Sequence, residues 1–295
     1  HIDEISVDLS NVGSGRQADL DLSARLFEGD DSGLSFTGLA GPFSAQSAPA
    51  EGELDFRLNP GEVPDTLRRE LFGSVLAAPG DSGLIHLTAS VAGDLFSSLA
   101  GDGVLELDDL LLGQDAESRI SVAGEVPLSV NVSNPLTKPG VDLSAKGAEL
   151  RFADGSWNGD VRLRYDAGVI RGSSHGTVSD FAIEQVLQAF TTSGESAFGR
   201  AEVSKYNLAF AGRDAGSIRN SMQGDADLVL REGRIGIFNL AQTIEKHWNK
   251  VFNGDEAEAG ETEFAEFATS LIIEDQKVRF PEFALDGSGM KATGN

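Results

Sequence analysis

Apolar and polar residues alternate along several stretches of this chain, and this period-2 pattern restricts the fold more than any other feature. In residues 17–26 the apolar members are Ala18, Leu20, Leu22, Ala24 and Leu26. The pattern recurs in residues 52–58, with Leu54 and Phe56, and in residues 225–231, with Leu228 and Leu230. Because successive side chains of a strand point to opposite faces, each such strand has one dry face and one wet face. The pattern predicts an antiparallel sheet.

Further strands are predicted between turns rich in Gly and Asp. They cover residues 84–91, 103–107, 118–123, 128–132, 141–152 and 158–165. A turn is expected at Glu232-Gly233, with a short strand over residues 234–237 behind it. The apolar period becomes helical over residues 64–77, 181–190 and 237–252, which predicts short amphipathic helices there. The fold class is therefore mainly β with a few short helices.

The apolar faces of so many strands must either be buried in a core or bind another apolar group. Two sheets packed face to face would bury them in the core of a sandwich. A single sheet that curls without closing would instead line a long groove with Leu, Val, Phe and Ala. The residue pattern leaves both arrangements open.

The balance of charges argues against several classes of partner. The chain carries 47 acidic and 23 basic residues, a formal net charge of −24. Binding to nucleic acid or to an anionic membrane depends on Lys and Arg, so both are disfavoured. The absence of cysteine excludes disulfides, thiolate metal sites and cysteine nucleophiles. No run of about 18 apolar residues is present, and we expect the chain to be a soluble fragment.

No set of residues predicts catalysis. Asp-Ser-Gly-Leu occurs at residues 31–34 and again at 81–84, and a turn used twice explains this better than the paired aspartates or the serine nucleophile of a protease. Asp154, Asn158 and Asp160 could offer oxygen ligands to calcium, although their spacing is not that of an EF-hand loop. We expect a protein that is not an enzyme and that has no cofactor and no metal site.

Four segments of the C-terminal part occur in the order typical of a known family. They are FAIEQVLQAF (181–190), GRAEVSKYNLAFAGRD (199–214), SIRNSMQGDADLVLREGRIGIFNLAQTIEK (217–246) and TEFAEFATSLIIEDQKVRFPEFALDGSGMKATGN (262–295). The second is expected to be a strand pair, and in the third a serine-containing helix leads into G-x-x-x-L-x-L-x-x-G-x-I. Together they resemble the C-terminal region of the AsmA family, bacterial envelope proteins to which TamB is related. The chain departs from the family pattern at Asn239, where an acidic residue is usual, and at Asp275-Gln276, where Gly is common.

The resemblance implies a long, strongly curved antiparallel sheet that forms an open groove or an incomplete barrel. Residues 1–175 would be the N-terminal part of this groove, and residues 176–295 the AsmA-like region continuous with it. The chain would be the periplasmic part of an envelope protein whose inner-membrane anchor precedes it. Its partners would be phospholipid acyl chains and proteins of the inner and outer membranes, and lipid would move towards the outer membrane without covalent chemistry.

The groove lining is expected in the strands with the clearest alternation. These residues are Leu20, Leu22, Leu54, Phe56, Leu208, Phe210, Leu228 and Leu230. An alternative function is that of an envelope scaffold or assembly factor, which would bind outer-membrane proteins through an unpaired strand edge. A carbohydrate-binding or hydrolytic β protein ranks lower, because the chain has only two Trp and two Tyr to stack on sugars.

Overall fold

The computed structural model describes residues 2–12, 15–27, 31–44, 46–64, 66, 83–113, 118–135, 137–190, 197–235, 262–274, 277–287 and 290–294. The first eight strands are β1 (Ile2–Ser10), β2 (Ala18–Leu26), β3 (Gly33–Ala40), β4 (Pro49–Leu58), β5 (Leu84–Asp94), β6 (Ser98–Leu112), β7 (Ile120–Ser133) and β8 (Gly140–Phe152). The others are β9 (Gly155–Asp166), β10 (Val169–Ala182), β11 (Ala197–Gly212), β12 (Gln223–Ile235), β13 (Thr262–Glu274), β14 (Lys277–Arg279), β15 (Phe283–Gly287) and β16 (Met290–Gly294). The helices in this described part are Ile183–Phe190 and Ala215–Ser221.

The strands form one antiparallel sheet in which strands adjacent in the sequence pair with each other, except β14 and β15. The order runs from β1 to β13 and on to β15 and β16, and β14 pairs with β13. Among the described strands β1 pairs only with β2, and β16 only with β15, so the sheet is not closed into a barrel. Tight turns favour this meander. Between β8 and β9, Ala153 and Asp154 have φ angles of 47° and 62°, as in the two-residue turns that match the twist of a hairpin.

The mainly β, antiparallel prediction is confirmed, and so are several individual elements. The alternating segments at residues 17–26 and 52–58 lie in β2 and β4. The helix predicted at residues 181–190 is Ile183–Phe190. The helix predicted at 237–252 and almost all of the one predicted at 64–77 lie outside the described residues. The boundary predicted after residue 175 falls within β10.

Three local predictions are wrong, and β-bulges explain two of them. No turn forms at Glu232-Gly233, because Glu232, with a φ of 50°, bulges opposite Gly199 and β12 continues to Ile235. Residues 118–123 and 128–132 belong mostly to a single strand, β7, because Gly124 and Pro127 lie within the strand and do not end it. Residues 199–212 lie in a single strand, β11, rather than in a strand pair. In β11 and β12 a bulge breaks the alternation of the sequence without ending the pairing of the strand.

The register of the strands places the apolar residues on one face of the sheet, which we call the apolar face. One row across it consists of Leu22, Phe36, Leu54, Ala89, Gly103, Leu128, Ala145, Val161, Ser174, Leu208, Gly224 and Ile273. The neighbouring row on the other face, the polar face, consists of Asp21, Thr37, Glu53, Ser90, Asp102, Ser129, Ser144, Arg162 and Ser173. The alternation within single strands thus produces a sheet with one apolar face and one polar face.

The two helices lie at opposite ends of the strands, and both contact the apolar face. Helix Ile183–Phe190 follows β10 and contributes Ala189, Ile183 and Val186 to the largest buried cluster. That cluster also contains residues of six strands, which are Ile120, Phe181, Ala201, Leu230, Phe264 and Leu285. Helix Ala215–Ser221 joins β11 to β12 at the other end, where Ile218 lies against Gly212. The fully buried core is therefore concentrated at one end of the sheet.

Candidate functional site

All eight residues expected to line a groove lie on the apolar face. Leu22 is two strands away from Leu54, with Phe36 between them, and Leu208 belongs to the same row. Leu228 and Leu230 follow on β12, opposite Val203 and Ala201. Seven of the eight are half-buried, whereas Leu230 has 4% of its surface exposed and packs in the largest buried cluster. Leu230 therefore belongs to the core at the end of the sheet rather than to an accessible surface.

The strands between these two groups supply further apolar residues that the sequence analysis did not single out. On β5 to β9 the most prominent are Leu87, Leu105, Leu128, Leu143 and Leu163. Leu143 pairs with Val130 on one side and Leu163 on the other. Their signal was present in the sequence as alternation, but only the register could show that they extend the face of β2 and β4 without interruption.

Glycines of the strands are concentrated on the apolar face. They include Gly38, Gly52, Gly101, Gly103, Gly159, Gly176 and Gly224. A methyl group on Gly38 would overlap the carbonyl oxygen of Glu51 and would lie 2.6 Å from the Cα atom of Gly52. At these positions the backbones of neighbouring strands approach too closely on this face for any side chain. Close backbone approach of this kind is typical of bends in a sheet.

Aromatic rings fill part of the space that glycines leave on the apolar face. The ring of Phe36 extends over Gly52, with its Cζ atom 2.7 Å from where a methyl group would stand. The ring of Phe210 covers Gly172 in the same way. Both phenylalanines therefore lie along the face, and they contribute ring surface to it.

Charged side chains of the polar face are paired across neighbouring strands. Arg162 donates to Asp142 at 2.7 Å, which holds the pKa of that carboxyl below its usual value of 3.8. His86 contacts Asp55 at 2.9 Å and Glu106 at 3.2 Å through its two ring nitrogens. The hydrogen bond from His86 is the main reason that the pKa of Asp55 is lowered. These cross-strand pairs of charged side chains indicate that the polar face is exposed to water.

The structure does not bring together the three residues that the sequence offered as calcium ligands. Asp154 accepts from Gln185, Asn158 donates to Glu149, and Asp160 accepts from the backbone of Gly147. No group of three or more His, Asp or Glu side chains in the described ranges could hold a metal ion. The second Asp-Ser-Gly sequence lies partly outside these ranges.

The free edge at β1 carries exposed apolar side chains. Ile5, Val7 and Leu9 belong to the apolar face and have exposed fractions of 62%, 61% and 46%. Residues of the same face on the inner strands are mostly half-buried because strands lie on both sides of them. In the part of the chain that the structure describes, the outer edge of β1 therefore has no partner strand and lies next to an exposed apolar strip.

Comparison of the chain with family models, with curated proteins and with solved structures found no match in any of the three. Within the described part of the chain, no helix has the length and apolar character needed to cross a membrane.

Proposed function

We propose that this chain is the periplasmic part of an inner-membrane-anchored, AsmA-like envelope protein that holds phospholipid acyl chains and supports lipid transport towards the outer membrane. The observation that carries the proposal is the apolar face that extends from β2 to β15, which in the described residues only two short helices cover. The resemblance of residues 181–295 to the AsmA family supplies the cellular setting.

An open groove is the shape that we propose for this face. The close backbone approach at glycines such as Gly38 and Gly176 favours bending towards the apolar side. Bulges in β8, β10, β11 and β12 increase twist and bend the strands further. Helix Ile183–Phe190 contacts both β7 and β11, which a sheet curved around the helix would favour. In such a groove the polar face, with its paired charges, points outwards into water.

The mechanism would be non-covalent. Moving an acyl chain of about sixteen carbons through water costs about 12 kcal/mol, at about 0.8 kcal/mol per methylene. A continuous apolar face removes most of that cost, because each methylene exchanges one apolar contact for the next. Half-buried residues such as Leu54, Leu143 and Leu208 retain exposed apolar surface for such contacts. No residue needs to react with the lipid, and the head groups remain in water.

Site-specific photo-crosslinking tests this function. A photoreactive phenylalanine analogue is placed at Leu54, Leu143 or Leu208 on the apolar face. The matched controls carry it at Glu53, Ser144 or Asn207, the adjacent residues of the same strands on the polar face. After incubation of delipidated protein with radiolabelled phospholipid vesicles, we expect crosslinked lipid at the first three positions and background at the controls. Equal labelling of both sets, or none at either, would contradict lipid binding on this face.

A second candidate function rests on the exposed edge of β1. An envelope scaffold would add a strand of an outer-membrane protein to this edge, with Ile5, Val7 and Leu9 as apolar contacts. A photoreactive residue at Ser6 should then crosslink to an outer-membrane protein in intact cells. Val7→Pro, which removes a backbone donor from the edge strand, should abolish that crosslink. Persistence of the crosslink in Val7→Pro would contradict strand addition.

A further inference from the structure

A hydrogen-bonded cluster of three polar side chains interrupts the apolar face. Trp157 on β9 donates through Nε1 to the hydroxyl oxygen of Tyr206 on β11, at 2.6 Å. The hydroxyl groups of Ser174 on β10 and Tyr206 are also 2.6 Å apart. The register places all three residues on the apolar face, where Ser174 stands between Val161 and Leu208. They are half-buried, and aliphatic residues and glycines surround them.

The cluster has one more hydrogen to donate than it uses. Its three donors are the indole N–H of Trp157 and the hydroxyl groups of Ser174 and Tyr206. Two hydrogen bonds join the three groups, and these bonds use two of the three hydrogens. If Tyr206 donates to Ser174, the Ser174 hydrogen remains. If Ser174 donates to Tyr206, the Tyr206 hydrogen remains. In either case one hydroxyl hydrogen is left on an otherwise apolar face.

A donor left in apolar surroundings is unfavourable unless an acceptor reaches it. The proposed ligand carries suitable acceptors, because each acyl chain of a diacyl phospholipid begins at an ester carbonyl. Ser174 is four residues from Ile170, which is about 13 Å along an extended strand. An ester carbonyl at Ser174 would leave its acyl chain on the apolar face and its head group directed towards the end of the strands.

We propose that Trp157, Ser174 and Tyr206 form a subsite that donates a hydrogen bond to the ester carbonyl of a bound diacyl phospholipid. This inference rests on the proposed lipid-binding function. The subsite distinguishes acyl esters from ether-linked chains of the same length, because an ether has no carbonyl oxygen. It also gives a sliding lipid one preferred position on a face that otherwise offers only apolar contacts.

The test compares the binding of a diacyl and a dialkyl ether phospholipid with identical chains and head groups. The wild-type protein should bind the ester lipid about two- to tenfold more tightly, the range that one net hydrogen bond provides. The triple variant Trp157→Phe/Ser174→Ala/Tyr206→Phe removes all three donors together and leaves no unpaired group. It should bind both lipids equally, with the affinity that the wild type has for the ether lipid. Tyr165→Phe is the matched control, since Tyr165 also lies on the apolar face but outside the cluster, and it should keep the preference.

A second readout locates the carbonyl. In a Trp248→Phe background Trp157 is the only tryptophan, because the chain has two. Lipids brominated near the carbonyl end should quench its fluorescence more strongly than lipids brominated near the end of the chain. The reverse order of quenching would overturn the subsite.

The outcomes separate this inference from the proposed function. Equal wild-type affinity for the two lipids, or an ester preference that persists in the triple variant, overturns the subsite and leaves lipid binding intact. Failure of the wild-type protein to bind either lipid contradicts the proposed function itself, and the subsite fails with it. Thermal unfolding of the triple variant and its affinity for the ether lipid verify that it is folded.

Discussion

Addition of a single methyl group at Gly38 should destabilise the sheet strongly, whereas the same change at Gly33 should not. Both glycines belong to β3, but Gly38 lies on the apolar face and Gly33 on the polar face. A methyl group on Gly38 would overlap Glu51 O and lie 2.6 Å from Gly52 Cα. A methyl group on Gly33 would lie 3.4 Å from Ala24 O, an ordinary contact. The pair Gly38→Ala and Gly33→Ala therefore isolates the close approach of β3 and β4.

The size of the effect follows from the displacement that the methyl group requires. Strands β3 and β4 would have to separate by about 1 Å near Gly38, which lengthens the neighbouring hydrogen bonds beyond a useful distance. Loss of one or two of these bonds together with the overpacking lowers the free energy of unfolding by about 2–4 kcal/mol. Gly33→Ala should raise it by about 0.4–1 kcal/mol, because alanine restricts the unfolded chain.

Urea unfolding followed by far-ultraviolet circular dichroism measures both changes. We expect the midpoint of Gly38→Ala to fall, that of Gly33→Ala to rise slightly, and the slope of the transition to stay unchanged in both. A Gly38→Ala protein as stable as the wild type would show that β3 and β4 do not approach closely at this point. Glycines would then not bend the sheet towards its apolar face.

Three further changes test other parts of the structure. Leu230→Ala should lower the free energy of unfolding by about 2–5 kcal/mol because this side chain is 4% exposed, and half-buried Leu20→Ala should cost clearly less in the same urea titration. Asp142→Asn should be less stable than wild type at neutral pH. Because the folded pKa of Asp142 is lowered below 3.8, the stability from its contact with Arg162 is present above that pH and disappears as the pH falls below it. The urea midpoints of the two proteins should therefore converge in acid, and a constant difference would contradict the ion pair. Asp214→Ala removes the capping box with Ser217, so backbone amides of helix Ala215–Ser221 should exchange faster with deuterium while those of β2 to β4 do not change.

The strands and their faces could be predicted from local sequence because alternation is a local property. Leu54 and Phe56 alternate with Glu53 and Asp55, and the structure indeed puts the two pairs on opposite faces of β4. Helix Ile183–Phe190 was predicted for the same reason, from its helical period. The bulge at Glu232-Gly233 was missed because it breaks the alternation in the way that a turn would. Only the pairing partner decides between a bulge and a turn.

Contacts between distant residues could not be predicted from the sequence. Trp157 and Tyr206 are 49 residues apart, and no local pattern indicates that their polar atoms meet. Leu230 follows the same alternation as the other leucines, but it is buried in a cluster that includes Ala189 of helix Ile183–Phe190. The eight candidate residues share a face because the registers of the strand pairs between them keep apolar residues on the same side of the sheet.

Native mass spectrometry of the gently purified protein, followed by lipid extraction, tests the central claim most directly. Leu143→Asp places a charge in the middle of the apolar face, and Ser144→Asp places the same charge one residue further along on the polar face, beside Arg162. If the apolar face holds acyl chains, the wild type and Ser144→Asp will carry phospholipid, and folded Leu143→Asp will have lost most of it. Phospholipid retained equally by Leu143→Asp, or wild-type protein that stays free of lipid even after incubation with phospholipid vesicles, would contradict the account.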